Sequence, residues 1–232
     1  KGLIFATFDP QAPPLLEYLE QVEIAADRNL EDGRFPVQSV IRPMRTDVQD
    51  YRGYAGSVAS GIFCPGDAVT VLPSGLQTTI RSIDTQEGAL TEAYPPMAVV
   101  LTLADDVDIS RGDMICPSDN LPAIQQEFQA MVCWMDASRD LNAGARVHLK
   151  HTTRTVRAVA DKIAYRLNVN TLDQEEDANA IKLNEIGRVH LRTTVPLFFD
   201  PYCRNHPTGS FILIDESTNN TLGAGIILPE DG

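Results

Sequence analysis

The sequence predicts an all-β protein made of two consecutive antiparallel β-barrels, preceded by a short helix. Three observations lead there. From Phe35 onward apolar residues recur with period two, the signature of half-buried strands. Turns rich in glycine and proline interrupt that pattern every eight to twelve residues or so, as in barrels and sandwiches. A second break at Leu121-Pro-Ala divides the strand-rich region into two sets, each near the size of an ordinary domain of roughly 100–150 residues.

Taken in order, residues 1–33 form an N-terminal segment. Leu15, Leu16, Leu19 and Val22 recur at helical spacing with Glu17, Glu20 and Glu23 on the other side, and Pro13-Pro14 marks the entry. Residues 24–34 turn polar and read as a linker. The first barrel is expected over 34–120. It opens with the strand Phe35-Pro-Val-Gln-Ser-Val-Ile, then a long polar loop holding Gly53 and Gly56, then Ser57-Val-Ala. Cys64-Pro-Gly-Asp67 is a turn, since proline presets φ and glycine accepts a positive one. Ala68–Leu72 and Gln77–Ile83 flank Pro-Ser-Gly as a hairpin, and Met97–Leu103 and Met114-Ile-Cys complete the set. The second barrel is expected over 121–232, with strands at Phe128–Met135, Arg146–Leu149, Thr155–Asn168, Gly187–Pro196, Ser210–Asp215 and Thr221–Ile227. Ala178–Leu183 reads as a short ordered loop. Ser217-Thr-Asn-Asn220 reads as a hairpin loop, where asparagine tolerates left-handed backbone.

Composition excludes several function classes. The net charge is −13, with 2 basic against 7 acidic residues in 1–33, 6 against 11 in 34–120 and 11 against 14 in 121–232. Nucleic-acid binding draws on lysine and arginine to release phosphate counterions, so no nucleic-acid partner is expected. No run approaches the ~20 apolar residues of a membrane helix, and the opening residues lack a cleavage pattern, so a cytoplasmic, membrane-free protein is expected. Cys64, Cys116, Cys133 and Cys203 contain no C-x-x-C pair; reduced, mostly buried thiols are expected rather than a zinc site. No G-x-x-x-x-G-K-[ST], Asn-Lys-x-Asp, G-x-S-x-G or H-E-x-x-H occurs, so no catalytic, cofactor-binding or metal residue is assigned in this chain.

One basic cluster stands in the acidic background: Lys150, His151, Arg154 and Arg157. If no turn intervenes, alternation puts His148, Lys150, Thr152 and Arg154 on one strand face. Two readings are open: a solvated strand whose charges deter edge pairing, or a docking patch for an acidic partner surface or another domain. His148 and His151, three apart on a strand, point to opposite faces and do not share a metal. His190 reads as a solvated-face residue. Asp105-Asp-Val-Asp108 is the densest carboxylate group and reads as the cap of a solvent-facing turn.

Several segments resemble a known superfamily. Arg34-Phe-Pro-Val-Gln-Ser-Val, Ser60-Gly-Ile-Phe-Cys-Pro-Gly-Asp-Ala-Val-Thr-Val and Asp108-Ile-Ser-Arg-Gly-Asp-Met resemble the second domain of elongation-factor-Tu-like GTPases. Arg52–Gly61, Leu149–Val156, Asn184-Glu-Ile-Gly-Arg-Val, Phe199-Asp-Pro-Tyr202 and Thr208–Asp215 are together similar to the large, GTPase subunit of bacterial sulfate adenylyltransferase (ATP sulfurylase). Leu15-Leu-Glu-Tyr-Leu-Glu looks like the last helix of that family's GTPase domain; the resemblance spans roughly residues 15–228. It implies barrels of the domain 2 and domain 3 type, and a parent protein that couples GTP hydrolysis to adenosine 5′-phosphosulfate synthesis from ATP and sulfate. It also implies two partners, a small adenylyl-transferring subunit and the protein's own GTPase domain, the latter holding GTP and magnesium. This chain, without GTPase motifs, is expected to be inactive alone. The alternative is a translation-factor pair of barrels that binds aminoacyl-tRNA.

Overall fold

A computed structural model describes residues 28–42, 51–168, 171, 173–176 and 178–229. The first sheet contains β1 (Phe35–Ile41), β2 (Gly53–Ser57), β3 (Ala68–Leu72), β4 (Leu76–Thr85), β5 (Gly88–Leu90), β6 (Ala98–Leu103) and β7 (Met114–Pro117). Its order is β3-β7-β1-β2-β6-β4, and pairing of β4 back onto β3 closes a six-stranded antiparallel barrel, with β5 appended to β4.

The second sheet contains β8 (Ala123–Trp134), β10 (Ala145–His151), β11 (Arg154–Leu167), β12 (Gln174–Glu175), β14 (Ile186–Phe199), β15 (Ser210–Ile214) and β16 (Thr221–Ile227). Its order β10-β15-β16-β8-β14-β11 is closed by β10 on β11, again six strands, with β12 appended. β9 (Leu141–Asn142) and β13 (Ala180–Ile181) pair as a separate short ladder.

Each barrel buries one face of its strands. In β8, Phe128, Ala130, Val132 and Trp134 point inward while the residues between them do not. Together with Val147, Leu149, Val189, Leu191, Phe211 and Leu213 they fill the second barrel. Phe35, Val37, Tyr54, Val71, Ile83 and Leu101 fill the first, where Phe35 and Phe63 meet edge to face. Barrels of this strand number are filled by their side chains and leave no internal channel.

The all-β, two-barrel expectation holds, and among the described residues there is no helix. The predicted helix at Leu15–Val22 lies outside the described residues. Three local expectations need correction. The strand placed at Ser57-Val-Ala in fact runs from Gly53 to Ser57, so both glycines belong to it. β1 bulges between Val37 and Ser39 and approaches β2 so closely that a Cβ on Gly56 would sit 2.6 Å from the Pro36 carbonyl oxygen. Glycine is demanded there by contact within the sheet, not by a loop. Ala178–Leu183 contributes the two residues of β13, with Ile181 fully buried. And the polar linker is, over residues 28–34, no solvated tether, because Asp32 and Arg34 are among the most buried residues of the chain.

Candidate functional site

Among the described residues, the buried carboxylates and guanidinium, Asp32, Asp200 and Arg34, gather at the seam between the barrels. Arg34 stands just ahead of β1, bridged to Ser60 through a 2.9 Å bond from its backbone N–H to the Ser60 carbonyl. Asp200 stands just beyond β14, ahead of Pro201. The ends of two strands, one from each barrel, therefore place opposite charges face to face. Arg34 Nε and Nη2 each donate to one Asp200 carboxylate oxygen at 2.9 Å. The side chains are 0% and 5% exposed. Arg34 Nη1 also donates to the carbonyls of Gly33 (2.7 Å) and Asn120 (2.8 Å), so the guanidinium is almost saturated. Asp200 accepts further bonds from the Thr208 hydroxyl at 2.8 Å and from Asn205 Nδ2 at 3.4 Å. A planar five-donor fork against a carboxylate suits a dry site better than any lysine pair would.

A second carboxylate extends the network. Asp32 accepts from Asn120 Nδ2 (2.9 Å), Asn29 Nδ2 (2.7 Å), Arg204 Nε (2.8 Å) and Arg204 Nη2 (2.5 Å). Burial pushes the Asp32 carboxyl up, but the hydrogen bonds from Arg204, Asn29 and Asn120 outweigh it and hold it well below the usual carboxylate range. Asn205 Nδ2 reaches Ser60 Oγ at 2.7 Å, and Ser60 Oγ donates to the Asp32 carbonyl at 2.5 Å. The segment 29–34 is thereby tied to both barrels. Its approach is tight enough that Gly61, at φ +72°, faces Gly33 Cα where any Cβ would lie 2.3 Å away.

An apolar knot flanks these charges. Leu72, Met114 and Cys116 of the first barrel pack with Phe198 of the second. Arg154 lies over the Phe198 ring at 4.8 Å and donates from Nη1 to the Gly112 carbonyl at 3.3 Å. Burial pushes the Cys116 thiol up to about 12, leaving an inert hydrophobic side chain.

The four basic residues singled out in the sequence do not share a face. A turn at Thr152-Thr153, with Thr152 at φ 48°, separates β10 from β11 and resets the alternation. Lys150 faces solvent, whereas His151 is buried. Its Nε2 lies 2.7 Å from the Thr208 carbonyl, an acceptor only, so Nε2 carries the proton. Burial lowers the pKa of His151 and keeps it neutral. Arg154 turns into the seam, and Arg157 is 74% exposed, 3.8 Å from Glu216. His148 is half-buried, also 3.8 Å from Glu216. Asp106 and Asp108 both pair with Arg52, while Asp105 accepts from the Thr78 hydroxyl at 2.8 Å. Of the cysteines, Cys116 alone is buried and Cys203 is exposed.

Sequence reasoning missed the seam pair. Arg34 and Asp200 stand 166 positions apart, and each reads locally as a polar residue at a strand end. The one signal was that both fall inside segments that carry the family resemblance, Arg34-Phe-Pro-Val and Phe199-Asp-Pro-Tyr202. Chemically, every charged group of the seam is matched by a partner, and none is paired as nucleophile and base. Among the described residues no group of three or more His, Cys, Asp or Glu is placed to hold a metal. The seam is built to hold two bodies in one orientation.

Comparison with known proteins agrees in sequence and in fold. Residues 127–228 match the family model for GTP-eEF1A C-terminal domain-like proteins. The chain is 57% identical over 218 residues to the "Bifunctional enzyme CysN/CysC" of Mycobacterium tuberculosis, covering 94% of this chain and 36% of that protein. It is 49% identical over 217 residues to "Sulfate adenylyltransferase subunit 1" of Alteromonas mediterranea, covering 94% of this chain and 45% of that one. The chain thus spans less than half the length of these relatives. Among solved structures, sup35 complexed with GDP superimposes with a TM-score of 0.77 at 17% identity, over 96% of this chain and 53% of that chain. Apo translation elongation factor SelB from Methanococcus maripaludis gives 0.68 at 21% identity, over 93% and 46%. These two likenesses are of fold alone. On sequence and fold together, the chain belongs to the sulfate adenylyltransferase subunit 1 and CysN family, as its pair of elongation-factor-Tu-like barrels.

Proposed function

We propose that this chain is the coupling half of a sulfate adenylyltransferase large subunit. In the intact protein a GTPase domain would hold GTP and magnesium, and a separate small subunit would carry out adenylyl transfer from ATP to sulfate. The barrels would carry the GTPase domain's nucleotide state to that small subunit. The observation that carries this reading is the 57% identity to CysN/CysC across nearly the whole chain. The seam supports it physically. Coupling between distant sites needs rigid bodies with alternative interfaces, and a saturated, buried ion pair between the barrels makes them move as one. The chain itself supplies no phosphate loop and no guanine-reading motif, so chemistry belongs to its partners.

Co-purification tests the reading. The tagged chain is expected to retain the small subunit or a separately produced GTPase domain. Failure to retain either would overturn the coupling role. Filter binding with aminoacyl-tRNA at low salt is the control arm. Tight binding with a steep salt dependence would favour a translation-type module instead.

A further inference from the structure

The first barrel carries a cleft whose lining runs against the acidic character of the chain. It occupies about 590 Å³ and draws residues from strands that are neighbours in the sheet, in the order β1-β2-β6-β4. Arg42 follows β1, Arg52 precedes β2, Asp105 follows β6, and Arg81 comes from β4. Three of the six arginines in residues 34–120 therefore meet in one concavity.

The placement of Arg81 is built into the sheet. Ile80 pairs with Leu103 and Ser82 with Thr102, so β4 carries one residue more than β6 at this point, a β-bulge at Arg81. The extra residue lets Ile80 and Ile83 both point into the core and turns Arg81 outward. Bulges of this kind recur where a side chain must be re-aimed.

The three cations differ in what remains free. Arg52 is spent: Asp106 and Asp108 take its terminal nitrogens, so it forms a neutralised wall. Arg81 donates from Nη2 to the Ala104 carbonyl at 2.7 Å, which orients the guanidinium without neutralising it. Among the described residues, Arg42 has no ion-pair or hydrogen-bond partner and its side chain is exposed. Asp105, the remaining carboxylate of the lining, accepts from the Thr78 hydroxyl and keeps its charge, so the lining sets three guanidiniums against two carboxylates. Arg42 and Arg81, neither in an ion pair with a described residue, thus share one cleft with the Tyr51 ring and with Ser82, whose hydroxyl donates to Asp84.

We infer that this cleft is an anion site for the phosphate or sulfate group of a small molecule, held between Arg42 and Arg81. Guanidinium geometry matches a tetrahedral oxyanion through paired N–H donors. The cleft is larger than one oxyanion needs, with room for an organic portion against Tyr51. The inference stands apart from the family's chemistry, since it rests on barrel side chains alone.

Calorimetric titration of the full chain with inorganic phosphate, sulfate and pyrophosphate, at constant low ionic strength, tests it. Saturable one-to-one binding by at least one of the three is expected, and the tightest identifies the group recognised. Arg42→Ala and Arg81→Ala are each expected to weaken binding about tenfold or more, the loss of one charge-assisted contact. Both side chains are exposed, so folding should be unaffected, which circular dichroism verifies. Arg157→Ala, an exposed arginine on the other barrel, is expected to bind as the parent does. No saturable binding, or an equal loss in Arg157→Ala, would overturn the site.

Discussion

Replacing Asp200 with alanine should uncouple the two barrels. The variant leaves the Arg34 guanidinium fully buried without a counter-charge, and it removes the acceptor used by Thr208 and Asn205. Breaking a buried pair from one side costs about 3–5 kcal/mol. Arg34 keeps the Gly33 and Asn120 carbonyls, and Asn120 Oδ1 at 3.3 Å, so its donors are not all orphaned. That places the expected loss near the lower bound, about 3 kcal/mol, still a large share of a domain stability of about 5–15 kcal/mol. Trp134 is the single tryptophan and sits deep in the second barrel. Urea unfolding followed by its fluorescence therefore reports that barrel, whereas far-ultraviolet circular dichroism reports both. The parent is expected to show coincident transitions, and Asp200→Ala is expected to separate them. The double replacement Arg34→Met with Asp200→Leu should recover most of the loss, since an apolar pair removes both desolvated charges together. A loss below about 1 kcal/mol in Asp200→Ala, with the two probes still coincident, would refute the view that this pair joins the barrels.

Two further outcomes follow from the same region. Asp32 has a folded pKa held below its unfolded value of about 3.9. Its contribution is therefore complete above that unfolded value and drains as pH falls toward the folded one, because the unfolded chain takes up the proton first. Arg204→Ala should raise the folded pKa and flatten the decline in urea midpoint between about pH 5 and pH 3; parallel profiles for parent and variant would exclude this role. Gly61→Ala should cost about 2 kcal/mol or more in thermal or chemical unfolding, because a Cβ at φ +72° meets backbone that cannot swing away. An unchanged melting temperature would show that segment 29–34 can be displaced cheaply.

How far the sequence could be read depended on the range of the interaction. Strands such as Thr221–Ile227 and Ala68–Leu72 were legible because alternation is local, and their observed bounds coincide with those expected. So was the left-handed asparagine of the 217–220 loop, found at Asn219 with φ 60°. Gly53 and Gly56 misled because glycine ordinarily interrupts a strand, and the reason it does not here is the bulged neighbour β1. The basic cluster misled because a two-residue turn at Thr152-Thr153 sends alternate residues to different surroundings, one of them the seam. Arg34 and Asp200 were invisible as a pair because nothing within either segment encodes a partner 166 positions away. A buried charge looks like any surface charge until the fold supplies its counter-ion.

The closure of both sheets limits how anything else can attach. Within each ring every strand already has two neighbours, so most of its backbone donors and acceptors are spent. Unpaired strand edges remain, among the described residues, on β5 with three residues, on β12 with two, on the β9–β13 ladder, and where a ring strand outruns its neighbour, as the end of β1 does beyond β7. A partner therefore has almost no template on which to lay a strand of its own. Recognition must be read from side chains and loop ends, so single substitutions on the barrel exteriors should be able to abolish it, which a main-chain-mediated contact would resist.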